Sequence, residues 1–313
     1  ASDFYIGINY AQRLHQNKNS MIPEFELFIG IDWSGAKGSS HSGIAVSEAE
    51  VGCTVPSIIT PPVGERSWSR TSVMDYLIKR STKKKILAGI DFAFSYPFVD
   101  ENAYFPGVQD APTSARELWR LIDRINTDAA DLYGGLIWKD PQFSVYYNAP
   151  GNKGHLFRSR RRQTEILAKL IKSPSPTFNC VGPAGVGTGS LAGMRMLHKL
   201  EGQACRWPIE NNTDDALTLV EIFPSFYFSL ASVRPIKGNH ARLDMLNKSL
   251  AFFGSNFLPN GFVPKGPDFD EADALVSSAA IRALSGKQEV WNMPACAVKE
   301  GWIFGVEYAN NLI

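Results

Sequence analysis

The chain has 313 residues, of which 44% are hydrophobic and 20% are charged, and its formal net charge is +1. This length and composition are typical of a globular protein with a substantial core. The near-neutral charge excludes a global attraction to nucleic acid or to membrane surfaces, so any anion must be bound by a local group of residues.

The cysteines and the apolar segments indicate the cellular context. Four cysteines are scattered without a CxxC pair, at Cys53, Cys180, Cys205 and Cys296. This pattern argues against a zinc site or a disulfide framework and predicts a reducing, cytoplasmic location. No apolar run reaches the roughly 18 residues that a membrane-spanning helix needs, and the N-terminus lacks a signal-peptide core. We therefore expect no membrane partner.

The first 20 residues differ in character from the rest of the chain. They read ASDFYIGINYAQRLHQNKNS and precede Met21 and the first strong strand pattern. We interpret residues 1–20 as an upstream extension or a remnant of expression. The remainder, 21–313, is then expected to form a single domain.

Three strands, a helix and a fourth strand are predicted in the first part of this domain. Residues 27–32 (LFIGID) predict a buried strand, and 42–49 (SGIAVSEA) predict a second strand that pairs with it as a hairpin. A third strand at 53–62 is ended by two prolines. Apolar residues of 69–80 lie on one face of a helix, with Ser and Thr available as caps. The continuous apolar run at 86–97 predicts a strand buried on both faces.

The middle of the chain, about 98–215, predicts a large and mostly helical insertion. It contains helix patterns at 114–133, 157–171 and 190–200, and the second of these begins in a run of arginines. No internal repeat is visible in this segment, so we expect one insertion and not an array of units.

Alternation of strand and helix resumes after the insertion. Residues 217–228 predict a fifth strand that Pro224 stops, 268–285 predict a helix, and 301–308 (GWIFGVEY) are strand-like. The fold class is therefore α/β, with a mixed five-stranded sheet flanked by helices.

Acidic side chains occur where the predicted strands end. Asp32 ends the first strand, Asp91 the fourth and Glu221 the fifth. Asp273 lies in the first turns of the last long helix. Because sites in open α/β sheets form at the carboxyl ends of the strands, we expect these four acids to meet at one edge of the sheet.

Such a group of acids is a candidate metal site. Unpaired carboxylates would repel one another and raise at least one pKa, whereas two divalent ions would neutralise them and could clamp the oxygens of a phosphoryl displacement. Oxygen ligands select Mg²⁺ or Mn²⁺. We predict that Asp32, Asp91 and Asp273 hold these ions, with Asp270, on the same helix face as Asp273, as a further ligand. Glu221 is predicted to hold a metal or its water.

Each acid also has a structural interpretation. Asp32 could accept hydrogen bonds from amides of the turn that follows it, and Asp91 could be a buried structural carboxylate. Glu221 could pair with an arginine of the insertion. Asp268 and Glu271 have the spacing of a helix capping box.

Several polar and aromatic residues are candidates for contact with a substrate. Trp33 and Ser34 follow Asp32, and Trp33 could stack on a base or pack in the core, as could Tyr96. Four arginines of the insertion could bind phosphate or could be solvated charges at a helix start. They are Arg158, Arg160, Arg161 and Arg162. The glycine-rich segment 181–197 could cradle an anion with its amides or form a tight structural loop.

Five short motifs resemble a known family. "GIDWSG", "GIDFAFSYP", "VEIFPS", "DEADALVSSAAIRAL" and "EGWIFGVE" are similar to domain of unknown function 429, a predicted nuclease family, and more broadly to ribonuclease H and the Holliday-junction resolvases. The resemblance implies a ribonuclease-H-like fold, with the family's site acids at Asp32, Asp91, Glu221 and Asp273. One position departs from ribonuclease H, because the helix at 69–80 offers Asp75 where that enzyme carries a glutamate.

These observations lead to three functional hypotheses. The first is a metal-dependent phosphodiester hydrolase, a nuclease in which two Mg²⁺ or Mn²⁺ ions activate water for attack on a nucleic-acid phosphate. The second is an ATP-using phosphotransferase or ATPase of the actin and sugar-kinase class, which would need a duplicated domain. The third is a non-catalytic nucleic-acid-binding relic of the fold. The choice between DNA and RNA and the oligomeric state stay open.

Overall fold

The fold was described from a computed structural model of the chain. The structure describes residues 22–182, 185–234 and 238–308. The predicted extension at 1–20 lies outside these residues. In the described parts of the chain, no helix is both long enough and apolar enough to cross a membrane.

The centre of the protein is a six-stranded sheet in the order β3-β2-β1-β4-β8-β7. β1 pairs antiparallel with β2 and parallel with β4, β2 pairs antiparallel with β3, and β8 lies parallel between β4 and β7. A separate hairpin joins β5 and β6. The strands are β1 (Leu27–Asp32), β2 (Ala45–Glu50), β3 (Ser57–Ile59), β4 (Ile86–Ile90), β5 (Asn148–Ala149), β6 (Asn152–Lys153), β7 (Cys205–Arg206) and β8 (Leu217–Glu221).

Helices cover both faces of this sheet. They are α1 (Arg70–Ser81), α2 (Ala115–Ile125), α3 (Gln163–Ala168), α4 (Val186–Lys199), α5 (Pro224–Leu230), α6 (Leu243–Phe252), α7 (Asp270–Ser285), α8 (Gln288–Trp291) and α9 (Ala297–Glu300). Short 3-10 turns lie between α2 and β5. Ser69 caps α1 and Ser114 caps α2. Each hydroxyl accepts from the amide of the third helical residue, and the side chain of that residue accepts from the cap amide in return, so polar side chains set where these helices begin.

Alternate residues of the central strands enter two separate apolar cores. Leu27, Ile29 and Ile31 face the core that α1, α2 and α4 contribute to, whereas Phe28 faces the core formed with α5, α6 and α7. Every residue of β4 is buried, as expected for a parallel strand that is covered on both faces.

α7 lies in close backbone contact with β1 at Gly30. A Cβ atom added to Gly30 would lie 2.3 Å from the carbonyl oxygen of Ala274 and 2.5 Å from the amide nitrogen of Ser278, both on α7. Because glycine carries only a hydrogen atom in place of a side chain, the backbone of α7 can lie directly against β1. This contact places the first turn of α7, with its acidic residues, near the end of β1.

All five predicted strands are present, although the third covers only Ser57–Ile59 of 53–62 and the fourth ends at Ile90 and not at residue 97. The sheet differs from the prediction in three further places. β7 is a sixth strand that the sequence analysis missed, because its two residues are too few to show a period. After Glu221 the chain forms α5, since Pro224 occupies a first-turn position where its missing N–H costs nothing. The segment 301–308 is not a strand, and it touches the sheet through one bridge between Ile303 and Glu221.

The predicted helices of the insertion are present at the expected places, but their lengths differ from the prediction. The pattern at 114–133 gives a helix only over α2, followed by 3-10 turns. The arginines of 157–171 precede α3, which begins at Gln163. The helix predicted to begin at residue 190 begins earlier, because α4 starts at Val186, within the glycine-rich segment.

The contact at Gly30 can be tested with an alanine substitution. Gly30→Ala would force a methyl group into the backbone of α7, and we expect it to lower the free energy of unfolding by about 2–3 kcal/mol. Gly286→Ala, at the other end of the same helix, is the matched control because its Cβ would meet no atom within 4 Å. Urea unfolding measures both, and equal stability of the two variants would contradict the packing described here.

Candidate functional site

The predicted acids lie at one edge of the sheet. β1, β4 and β8 are parallel neighbours, so their carboxyl ends share that edge. Asp32 and Glu221 are the last residues of β1 and β8, and Asp91 directly follows β4. α7 packs against β1 and brings Asp270 and Asp273 in its first turn to the same place.

The side chains interact electrostatically although they come from distant parts of the chain. Burial raises the pKa of Asp32 well above its ordinary value, and the negative charges of Asp273 and Asp91 raise it further. A side-chain hydrogen bond with Asp270 acts in the same direction.

Asp91 and Asp273 belong to the same group. Burial, followed by the charge of Glu221, raises the pKa of Asp91 to about 7. Burial also raises the pKa of Asp273 well above its ordinary value, with further contributions from Asp91 and Asp270. Burial is the largest cause of each shift and neighbouring negative charges add to it, so a bound cation would favour the ionised carboxylates.

The acids do not form a finished cage for a metal. In residues 22–182, 185–234 and 238–308, no three His, Cys, Asp or Glu side chains are arranged as a ready-made ligand set. Asp32 and Asp91 make no ion pair within these same ranges, while Asp273 lies 3.6 Å from Nε2 of His240. A shared ion would therefore have to draw the carboxylates together.

Glu221 forms an ion pair with an arginine of the insertion, as the structural interpretation of this residue predicted. Nη2 and Nη1 of Arg162 donate to its two oxygens at 2.5 and 2.7 Å, and the amide of Phe94 donates to one of them at 2.9 Å. Arg162 also donates from Nε to Glu165 at 2.8 Å. All three charged side chains are at most 2% exposed. A role of Glu221 in holding a metal stays a prediction, and its observed role is to form a buried ion-pair network.

The other arginines do not form the common phosphate-binding surface that the sequence suggested. Arg160 donates to Asp100 and to the carbonyls of Pro97, Ala103 and Tyr104. Arg161 donates to the carbonyl of Pro174, and the exposed Arg158 pairs with Glu101. The reason is that these arginines precede α3 in an irregular segment, and the carbonyls of the neighbouring loops need donors.

Trp33 and Ser34 follow Asp32 in a loop that is held by a residue the sequence analysis missed. Nε of Arg70, at the start of α1, donates to the carbonyl of Ser34 at 2.8 Å, and Nη2 donates to that of Ala36 at 2.6 Å. Arg70 is completely buried. A lone arginine in a helix gives no sequence signal for such a role, because its partners are backbone atoms.

The aromatic candidates are packed within the protein. Trp33 donates from Nε1 to the carbonyl of Gly189 at 3.2 Å and lies with its ring centroid 5.5 Å from that of Phe92. Tyr96 is buried among aromatic rings and accepts a hydrogen bond from Tyr147 at 3.1 Å. Packing, the alternative considered for both residues, therefore describes their contacts, although Trp33 also lines a cavity beside Asp91.

The capping box expected at the start of α7 is replaced by a different arrangement. Phe269 is the N-cap residue and has a positive φ of 64°, while Glu271 accepts from the amide of Lys265 at 2.7 Å. The amide of Asp268 donates to Asp270 at 3.3 Å. The turn before the helix thus holds the carboxylate of Asp270 in place.

The raised pKa of Asp91 predicts a dependence of stability on pH. A carboxyl group whose pKa is higher in the folded state stabilises the fold fully below its unfolded value near 4, and this contribution is lost as the pH rises through about 7. Asp91→Asn should therefore raise the free energy of unfolding by about 2–4 kcal/mol at pH 8 and change it little at pH 4. Denaturant unfolding at both pH values, without divalent ions, measures the difference.

The control for this experiment is Asp75→Asn on the exposed surface of α1. It removes the same charge from a site in contact with water and should give the same stability as the parent protein at both pH values. If Asp91→Asn behaves like Asp75→Asn, then Asp91 is not buried among like charges.

The ion-pair network of Arg162 predicts a second effect on stability. Arg162→Met would leave Glu165 and Glu221 buried without their partner, so we expect a loss of about 3–5 kcal/mol in urea unfolding. Arg158→Met removes an exposed ion pair four residues earlier and should cost at most about 1 kcal/mol. A loss below that value for Arg162→Met would show that the network does not support the fold.

Comparisons of the chain with known protein families, with curated proteins and with solved structures found no match. The assignment of a function therefore depends on the positions and charges of this chain's own residues.

Proposed function

We propose that the protein is a metal-dependent phosphodiester hydrolase with a ribonuclease-H-like fold, acting on nucleic acid. The observation that carries the proposal is the convergence of Asp32, Asp91 and Asp273 at one edge of the sheet, where burial raises the pKa of each carboxyl group. Carboxylates gathered in this way destabilise a folded protein unless they are protonated or bind a cation, so their presence together favours a site for a cation.

The topology of the sheet supports the fold in the proposal. The order β3-β2-β1-β4-β8, with an antiparallel β2 and parallel β1, β4 and β8, is the order expected for the ribonuclease-H-like class. The long insertion enters between β4 and β8 and leaves the carboxyl ends of both strands at the common edge.

The residues have distinct roles in this proposal. Asp32, Asp91 and Asp273 would hold two Mg²⁺ or Mn²⁺ ions, with Asp270 available beside Asp32. When bound, such ions lower the pKa of a coordinated water and offset the negative charge of a phosphate. Arg70 fixes the loop that follows Asp32 by donating to the carbonyls of Ser34 and Ala36.

The geometry is less favourable for the phosphotransferase alternative. That class requires a duplicated domain with a second phosphate loop. The described residues form one six-stranded sheet and one two-stranded hairpin, and the hairpin is too small to be a second copy. A titration with ATP and Mg²⁺ distinguishes the two functions, since the nuclease proposal predicts no specific ATP site.

Removal of either strand-end aspartate tests the proposed activity. Asp32→Asn and Asp91→Asn should each lower Mn²⁺-dependent cleavage of single-stranded DNA or RNA by at least about 10²-fold, because each removes a charge that would hold the metal. Asp75→Asn is the control and should retain the parent rate. Parent-like cleavage by both site variants would refute the mechanism.

A further inference from the structure

A cavity of about 390 Å³ opens beside Asp91, between the ends of β4 and β8 and the start of α4. Its volume is at the lower end of the range of about 300–1,000 Å³ that small-molecule sites occupy. A space of this size suits one nucleotide and is too small for a duplex. The cavity therefore bears on which part of a nucleic acid reaches the acids.

One side of the cavity is unfavourable for an anion. Glu165, Arg162 and Glu221 line it there, and they carry two negative charges against one positive charge. Each nitrogen of the Arg162 guanidinium group already donates to an oxygen of the protein. A phosphate would find no free positive charge on this side.

The opposite side of the cavity is formed by the start of α4. Val186, Thr188 and Gly189, from the first turns of this 14-residue helix, line the cavity. The N-terminal end of a helix carries a partial positive charge and directs N–H groups outward, which favours an anion.

An independent observation points to a ligand at the same place. Thr177 lines the cavity, is completely buried, and its hydroxyl has no hydrogen-bond partner among the residues that the structure describes. Its backbone lies against α4, because a Cβ atom on Gly187 would be 2.4 Å from the carbonyl oxygen of Thr177. Leaving a buried hydroxyl unpaired costs free energy, and a ligand oxygen would remove that cost.

We infer that this cavity binds the phosphorylated terminal nucleotide of a single strand. The terminal phosphate lies at the start of α4 and accepts from the Thr177 hydroxyl, and the sugar and base contact Trp33, Phe223 and Ile303. The next phosphodiester then lies beside Asp91. This inference rests on the proposed function and adds to it that the substrate is a strand end.

The reaction at such an end is a simple hydrolysis. The oxygen of one water forms a bond to phosphorus, one ester P–O bond breaks, and the leaving oxygen takes up a proton. Each cycle consumes one water and releases one nucleotide, with no oxidant or reductant. A strand without an end gives the cavity nothing to bind.

Binding of adenosine monophosphate, measured by isothermal titration calorimetry with Mg²⁺, tests the cavity without any cleavage. Thr177→Val removes the hydroxyl and keeps the side-chain shape, so its affinity should fall about tenfold. Gly189→Ala adds a methyl group in the cavity at 3.8 Å from Cδ1 of Trp33, and should also weaken binding about tenfold. Inorganic phosphate should show the same loss with Thr177→Val, whereas adenosine should bind equally weakly to all variants.

A matched variant separates this effect from folding. The hydroxyl of Thr218 on β8 is also buried without a partner in the described chain, but Thr218 does not line the cavity. Thr177→Val and Thr218→Val should both keep or raise the melting temperature, and Thr218→Val should keep the parent affinity. Equal affinity of Thr177→Val and Thr218→Val, or no binding of adenosine monophosphate to the parent at millimolar concentration, would overturn the inference.

Cleavage assays with Mn²⁺ separate this inference from the proposed function. Linear single strands with a 5′ or 3′ phosphate should be cut faster than the same strand without one, and circular single strands should resist. Equal cleavage of circular and linear strands would overturn the strand-end inference and leave the nuclease proposal standing. If no strand is cut, the nuclease proposal fails, and the calorimetric experiment still decides whether the cavity binds a nucleotide.

Discussion

Crowding of partly buried like charges at one edge of the sheet is the constraint on which the site depends. The parallel arrangement of β1, β4 and β8 brings Asp32, Asp91 and Glu221 together, and the close contact of α7 with Gly30 adds the acids of its first turn. Each carboxylate raises the free energy of its ionised neighbours. The fold must therefore supply a positive charge, take up protons, or bind a cation at this edge.

The protein solves this problem in two ways at adjacent positions. On the β8 side, the insertion supplies Arg162, which forms ion pairs with both Glu165 and Glu221. On the β1 side, Asp32 and Asp91 keep raised pKa values and have no ion-pair partner within the described ranges. The insertion thus neutralises one half of the edge with a fixed guanidinium group, whereas the other half, next to a cavity bounded by α4, has no such group among the described residues.

The sequence predicted what depends on periodicity and strand ends. The apolar runs of β1 and β4 were sufficient to place those strands, and the meeting of Asp32 and Asp91 at one edge followed from the topology of parallel strands. The assignments that differed depend on tertiary contacts. β7 is a two-residue strand. The guanidinium groups of Arg70 and Arg160 bind backbone carbonyls. The unpaired hydroxyl of Thr177 points to a ligand site only because Thr177 lies beside α4 in the folded chain. None of these leaves a pattern along the chain.

The most direct test is a calorimetric titration of the metal-free protein with Mn²⁺ near pH 7, in two buffers of different ionisation enthalpy. Because burial raises the pKa of Asp91 to about 7, this carboxyl group holds a proton in part of the molecules at this pH and must lose it to bind a metal. The account therefore predicts that Mn²⁺ binding releases protons, and that Asp32→Asn abolishes the binding. Absence of Mn²⁺ binding, or binding that is unchanged in Asp32→Asn, would contradict the account.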